Sequence, residues 1–227
     1  MRWTVAFDAD DTLWHTERAF RLTERRFADL LRDHAEPGHL EERLLDAQRR
    51  NLGAYGYGVK AFVLSMVETA VEVTEGAVPG HVVGEILREG REMLAHPVEL
   101  LPHARAAVEA ARALGEVVLV TKGDLLDQER KLASSGLEPL FDAVEIVSDK
   151  TPAVYARVFA RHGFPAVMVG DSMRSDVLPA LEAGAWAVHV PTADPWMLER
   201  AEAPAGHPRF RALPDLGGLP ALLATLG

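Results

Sequence analysis

Val5-Ala6-Phe7-Asp8-Ala9-Asp10-Asp11-Thr12 sets three carboxylates directly behind a short apolar run near the start of the chain. The apolar run reads as a strand, and packing gives carboxylates no reason to gather at its end. An Asp-x-Asp pair at a strand end can hold a divalent cation and present one carboxylate oxygen to an electrophile. Asp10 and Asp11 are equally suited to cap a turn or the following helix through backbone N–H groups. The rest of the chain has to decide between these meanings.

Outward from that segment the pattern changes twice. From about residue 15 to residue 95, apolar residues recur at helical spacing: Ala19, Phe20, Leu22, Phe27, Leu30 and Leu31, then Val59, Phe62, Val63, Met66, Val67 and Ala70. Shorter sets around Leu40, Leu44 and Ala47, and around Val83, Ile86 and Leu87, bring the expected count to four helices packed as a separate small domain. Beyond the stretch from Pro97 to Pro102, strand and helix alternate. Strands are expected at Val117 to Val120, Ala143 to Val147, Ala166 to Val169 and Trp186 to Val190, with a late one at Phe210 to Leu213. Helices are expected at Leu125 to Ser135, Pro152 to His162, around Val177 to Leu181, and at Leu219 to Leu226. Such units indicate an α/β class with a largely parallel sheet covered by helices.

The consequence is positional. In open parallel sheets, ligands bind beyond the C-terminal ends of the strands. Asp8, Asp10, Thr121, Asp171 and the loop before Lys150 all fall at or just after such ends.

Composition narrows the chemistry. A chain of 227 residues with 48% hydrophobic content is long enough for a core of ordinary size plus a smaller domain. The absence of Cys excludes disulfides, thiolate nucleophiles and Cys-rich metal sites. A net charge of −10 argues against a nucleic-acid polymer as partner, while leaving room for a small phosphorylated metabolite met by a metal and one or two cations. No stretch approaches the roughly 20 apolar residues that cross a bilayer. The start at Met1-Arg2 leads straight into a strand-like run without a signal-peptide pattern, so no membrane partner and a cytoplasmic location are expected, for a monomer or homodimer.

Taken together, the residues at the strand ends form a chemical set. Asp8 is placed to act as nucleophile, and Asp10 to exchange a proton with a leaving group or a water. Gly170-Asp171-Ser172-Met173-Arg174-Ser175-Asp176 supplies a second acidic loop. Asp171 can complete the oxygen shell of Mg²⁺ with Asp8, and Asp176 can orient a ligand or a lysine. The bland reading of that loop is a strand-to-helix turn with Asp171 as cap. Thr121 and neighbouring amides can bind phosphoryl oxygens, and the Lys150 ammonium offsets charge in a transition state. Taken singly, Thr121 reads as an ordinary loop residue and Lys150 as an exposed charge.

These motifs, in this order, resemble the haloacid dehalogenase superfamily. Phe7 to Trp14 is similar to its first motif, Val120-Thr121-Lys122-Gly123 to its second, Lys150 to the lysine of the third, and Val169-Gly170-Asp171-Ser172 with Asp176 to the acidic fourth. The resemblance implies a three-layer Rossmann-like core, residues 1–14 and 98–227, interrupted by an all-helical cap, residues 15–97. It also implies that Asp8 attacks phosphorus and that Asp10 protonates the leaving group and then activates water. Mg²⁺ would be held by the Asp8 carboxylate, the Asp10 backbone carbonyl and Asp171, with Asp176 in support. Thr121 with Lys122 and Gly123 would bind the phosphoryl group, and Lys150 would hold that group and Asp8.

Within the superfamily, keeping both Asp8 and Asp10 favours a magnesium-dependent phosphatase, a hydrolase of phosphomonoesters. A dehalogenase typically lacks the second catalytic carboxylate and needs no magnesium, a phosphomutase needs the same core, and a non-enzymatic phospho-acceptor uses a similar acidic cluster. Lys122 stands where a small polar residue is commoner and either meets substrate or turns to solvent. Tyr55 and Tyr57, in Asn51 to Gly58 between expected helices, either meet a leaving group or pack internally. His15, Glu17, Arg18 and Arg21 read as entrance or surface residues. Trp186, His189, Trp196 and His207 read as packing, within or beside an irregular proline-rich stretch.

Overall fold

A computed structural model describes residues 2–226. The chain divides into two compact units, Met1–Glu17 with Val98–Gly227, and Arg18–Pro97.

The first unit is built on a six-stranded, wholly parallel sheet. Its strands are β1 (Trp3–Phe7), β2 (Gly115–Lys122), β3 (Ala143–Val147), β4 (Ala166–Gly170), β5 (Trp186–His189) and β6 (Phe210–Ala212), in the order β3-β2-β1-β4-β5-β6. Successive side chains of a strand point to opposite faces, and the apolar residues sort accordingly. Val5, Phe7, Val117, Leu119, Val167 and Val169 pack with Ala104, Val108, Leu219 and Leu223 on one side. Ala6, Val118, Val120 and Met168 pack with Tyr155, Val158 and Phe159 on the other. Both faces are thus covered, which is why these strands read as continuous apolar runs.

The helices of this unit are, by contrast, short: Ala104–Leu114, Leu125–Ser135, Pro152–His162, Leu178–Glu182 and Leu219–Ala224. Local chemistry fixes their ends. The Asp124 side chain accepts the Asp127 amide N–H ahead of Leu125–Ser135, and Gly136 follows it in the left-handed region at φ 67°. Thr151 accepts the Val154 N–H at the start of Pro152–His162. The loop after β4 winds through a π-helical turn, Met173–Val177, before Leu178–Glu182.

The second unit holds α1 (Glu17–Leu31), which begins in the first unit, then α2 (Pro37–Tyr55), α3 (Val59–Val73) and α4 (Gly80–Ala95). The later helices named above are accordingly α5 to α9. Phe27, Leu31, Leu40, Leu44, Phe62, Met66, Val82 and Ile86 form its core. Arg50 pairs with Glu68 at 2.6 Å and Glu72 at 2.7 Å, tying α2 to α3.

Two expectations need correction. No helix is anticipated at 104–114, yet α5 lies there. Its inward face is Ala104, Ala107 and Ala111 around Val108, so small side chains give little hydrophobic periodicity. The stretch from Asn51 to Gly58 is not a loop throughout, since α2 continues to Tyr55 and ends only where Gly56 takes φ 71°.

Candidate active site

β1 is paired with β2 on one side and β4 on the other, so the chain's crossovers diverge at the middle of the sheet. Ligand sites in open parallel sheets form at such a divergence, beyond the strand ends. Asp8 follows β1, Asp171 follows β4, and Thr121 closes β2, so the fold delivers these residues to one place.

Asp8, Asp171 and Asp176 each offer a carboxylate oxygen, and these atoms lie within 4.8 Å of one another. Lys150 enters the same cluster: its Nζ donates to Asp8 Oδ1 and, at 2.7 Å, to Asp176 Oδ1. Asp176 Oδ2 accepts the Ser172 amide N–H at 2.9 Å, and the Tyr155 hydroxyl stands 3.4 Å from Oδ1. The Thr12 hydroxyl accepts the Asp171 N–H at 3.0 Å and lies 3.1 Å from Asp8 Oδ2. His189 Nε2–H donates to the Asp171 carbonyl at 2.8 Å and so ties the loop to β5.

The electrostatics follow from this crowding. Burial pushes the Asp8 carboxyl up to about 7 despite the opposing charge of Lys150. Burial, then the charges of Asp8 and Asp176, raise Asp171 well above the usual carboxylate range. Burial works against the Lys150 ammonium, yet Asp176 and Asp8 outweigh it and hold the lysine well above its ordinary value. Only when all three carboxylates are ionised do they exceed the single ammonium by two charges, a state their mutual repulsion opposes until a cation joins them, and every donor is a hard oxygen. That charge and that donor set fit a divalent cation such as Mg²⁺.

Asp10 belongs to a second, adjoining network. Its Oδ1 accepts from Trp14 Nε1 at 2.8 Å, the Thr16 hydroxyl at 2.7 Å and Lys131 Nζ at 2.9 Å. Gln128 Nε2 donates to Asp10 Oδ2 at 3.1 Å and lies 2.5 Å from Thr121 Oγ1. Burial tends to raise Asp10, but the Lys131 charge and these hydrogen bonds win and hold it below the ordinary carboxylate range. Its carboxylate is therefore not part of the three-oxygen cluster; the atom implied for a metal by the family resemblance is its backbone carbonyl.

Asp11, in contrast, behaves as a cap. It sits in the left-handed region at φ 58°, which Asp tolerates, and accepts the backbone N–H groups of Thr16 and Glu17. Lys122 turns to Glu199, 2.5 Å from its Oε1, and to the Ser175 hydroxyl at 2.7 Å. Glu199 Oε2 accepts from the hydroxyls of Ser172 and Ser175, both at 2.5 Å. The cap of the turn after β4 is Ser172, which accepts the Ser175 N–H, rather than Asp171.

Motif reading gives no role to Thr12 and Trp14, although they lie within the first motif, and does not reach Thr16, Gln128, Lys131 or Glu199. For Gln128 and Lys131 a signal exists. They are three apart on a helix that starts four residues after Thr121, so both fall on one face near that strand end.

This arrangement defines a class, a parallel α/β core with an aspartate cluster beyond the ends of its central strands and a helical domain inserted after the first. The chain belongs to the haloacid dehalogenase-like hydrolases, whose family model matches residues 4–184. A haloacid dehalogenase-like family hydrolase from Xanthomonas campestris is 41% identical, with a TM-score of 0.88 over 99% of this chain and 91% of that one. Two further solved structures share the fold. The HAD-hydrolase YfnB from Bacillus subtilis, bound to magnesium, is 18% identical with a TM-score of 0.68, covering 98% of this chain and 99% of that one. The L-2-haloacid dehalogenase from Xanthobacter autotrophicus is 21% identical with a TM-score of 0.68, and each chain is covered in full, 100%. No curated protein matches the chain. Among the described residues, no helix is long and apolar enough to cross a membrane.

Proposed function

We propose that the chain is a magnesium-dependent phosphatase that hydrolyses a small phosphomonoester through an aspartyl-phosphate on Asp8. One observation carries the choice within the family: a second carboxylate, Asp10, is fixed by four side chains beside the three-carboxylate cluster.

Asp8 is the nucleophile. Its Oδ1 is held by Lys150 and its Oδ2 by Thr12, so the carboxylate is oriented without being consumed by a helix cap. Asp8 and Asp171, with the Asp10 carbonyl, would hold Mg²⁺, with Asp176 supporting from behind through Lys150. A bound Mg²⁺ would offset the charge of the phosphoryl oxygens and of the attacking carboxylate. Thr121, the Lys122 and Gly123 amides and Lys150 would meet the phosphoryl oxygens. Asp10 is ionised at rest, the form that takes a proton from water when the aspartyl-phosphate is hydrolysed. For departure of an alkoxide it must first carry a proton, which its hydrogen-bonded setting makes the minor form.

A screen of phosphomonoesters with and without Mg²⁺, repeated with Asp8→Asn and Asp10→Asn, tests this reading. Asp8→Asn abolishes turnover. Asp10→Asn lowers kcat by about 100-fold or more, with a larger loss for alkyl phosphates than for p-nitrophenyl phosphate, whose leaving group departs unprotonated. Turnover without magnesium, or retained by Asp8→Asn, overturns the proposal.

A further inference from the structure

Lys131 reaches the site from α6, 121 positions along the chain from Asp10, and lies in none of the motifs. Its Nζ is 2.9 Å from Asp10 Oδ1 and 3.1 Å from Oδ2, 2.9 Å from Gln128 Oε1 and 3.5 Å from Asp127 Oδ2. An ammonium carries three N–H donors; its hydrogen bonds go to Asp10 and Gln128, and Asp127 adds an ion pair.

The partners show which contact matters. Asp127 is 4% exposed and already pairs with Arg130 Nη2 at 2.6 Å, so it does not depend on Lys131 for neutralisation. The close contact of Lys131 goes to Asp10 instead, and Asp127 serves to seat the lysine one helical turn away. Gln128 is oriented by the same ammonium. Because Lys131 can only donate, Gln128 turns its carbonyl oxygen toward it and its amide nitrogen toward Asp10 Oδ2 and Thr121 Oγ1. One face of α6 thereby holds both oxygens of Asp10 and links them to the end of β2.

We propose that Lys131, seated by Asp127 and assisted by Gln128, is a positioning residue that fixes the place and plane of the Asp10 carboxylate. The inference rests on the reading of Asp10 as the group that exchanges protons with the leaving group and water. Trp14 and Thr16 hold Asp10 from its own segment; α6 supplies the restraint from beyond the end of the neighbouring strand β2. A proton-transfer group displaced by an ångström loses much of its effect, whereas Lys131 itself bonds to Asp10 and Gln128 and to none of the groups assigned to the phosphoryl oxygens. Lys131 therefore acts on kcat and not on KM.

The test uses the full chain with Lys131→Met, Lys131→Gln and Lys131→Arg, assayed with magnesium on p-nitrophenyl phosphate and an alkyl phosphate. Lys131→Met and Lys131→Gln lower kcat by about 100-fold on the alkyl phosphate, less on p-nitrophenyl phosphate, with KM unchanged. Lys131→Arg, which keeps a charged donor at the carboxylate, recovers most of the loss. Unchanged kcat with only a lower Tm makes Lys131 a structural ion pair and overturns the proposal. Failure of the wild-type chain to hydrolyse any phosphate ester sinks the phosphatase reading instead. The Lys131 proposal is then decided by crystal structures of wild type and Lys131→Gln: a displaced Asp10 carboxylate sustains it, and an unmoved one overturns it.

Discussion

Lys122 Nζ lies 2.5 Å from Glu199 Oε1, although 77 positions separate the two residues. The cation beside the motif threonine is thus matched by a carboxylate from the stretch after β5, and each side chain is only 14% exposed. Arg174 Nη1 donates to the Leu198 carbonyl at 2.8 Å, which fastens the same short stretch to the turn after β4 beside the Ser172 and Ser175 bonds to Glu199.

The first prediction concerns that pair. Burial tends to raise Glu199, but the Lys122 charge and the hydrogen bonds from Lys122, Ser172 and Ser175 outweigh it and hold the carboxyl below its ordinary value. A depressed folded-state value means that the stabilisation is fully present above the range where unfolded glutamate titrates. It is lost as pH falls through the lower folded value. Glu199→Gln should therefore lower stability at neutral pH by about 2 kcal/mol, or roughly 4–8 °C in Tm. The gap between variant and wild type should close in acid. In a double-mutant cycle with Lys122→Ala the two losses should fall short of additive. Additive losses with a pH-independent gap would show that the pair is not coupled.

A second prediction follows from the charge imbalance at Asp8, Asp171 and Asp176. A cation that binds only the folded chain raises Tm by mass action. At about 100 times its dissociation constant the gain is about 2.7 kcal/mol, roughly 5–10 °C for a chain of this size. Asp171→Asn should abolish the rise. Lys150→Ala leaves Asp8 and Asp176 facing each other without their ammonium and should cost about 3–5 kcal/mol in metal-free buffer, with Mg²⁺ recovering part of it. Differential scanning calorimetry with Mg²⁺ or with EDTA reads all three; an equal Tm for wild type in both buffers removes the metal from the account.

Much of this was legible in the sequence because strand ends carry signals of their own. Asp8, Asp171 and Lys150 stand next to apolar runs or helix starts, and their convergence follows from a parallel sheet once the runs are read as strands. What was not legible sits on helix faces and in the proline-rich stretch. The spacing of Gln128 and Lys131 puts them on one face of α6 near the end of β2, but nothing in the local pattern says that Asp10 lies opposite. Glu199 has no periodic context at all, and only the path of the chain after β5 brings it to Lys122. Asp10 and Asp11 are neighbours of one residue type with different fates. The left-handed backbone at Asp11 turns its carboxylate to the Thr16 and Glu17 amides, while Asp10 faces α6.

The third prediction tests how tightly the end of β4 is built around Asp176. A Cβ on Gly170 would stand 2.3 Å from both Cγ and Oδ2 of Asp176, closer than non-bonded atoms tolerate. Asp176 cannot step aside freely, because it is 1% exposed and bound to Lys150 and to the Ser172 amide. Gly170→Ala should therefore cost about 2 kcal/mol, roughly 4–8 °C in Tm. By moving Asp176, and with it Lys150, it should also shrink the magnesium-dependent rise. Gly38→Ala is the matched control, since its Cβ meets nothing within 4 Å at the start of α2, and it should leave Tm unchanged or slightly higher. If Gly170→Ala melts with the wild type and keeps the full magnesium response, the turn after β4 has slack that the geometry denies. Asp176 would then not be the fixed support on which Lys150 rests.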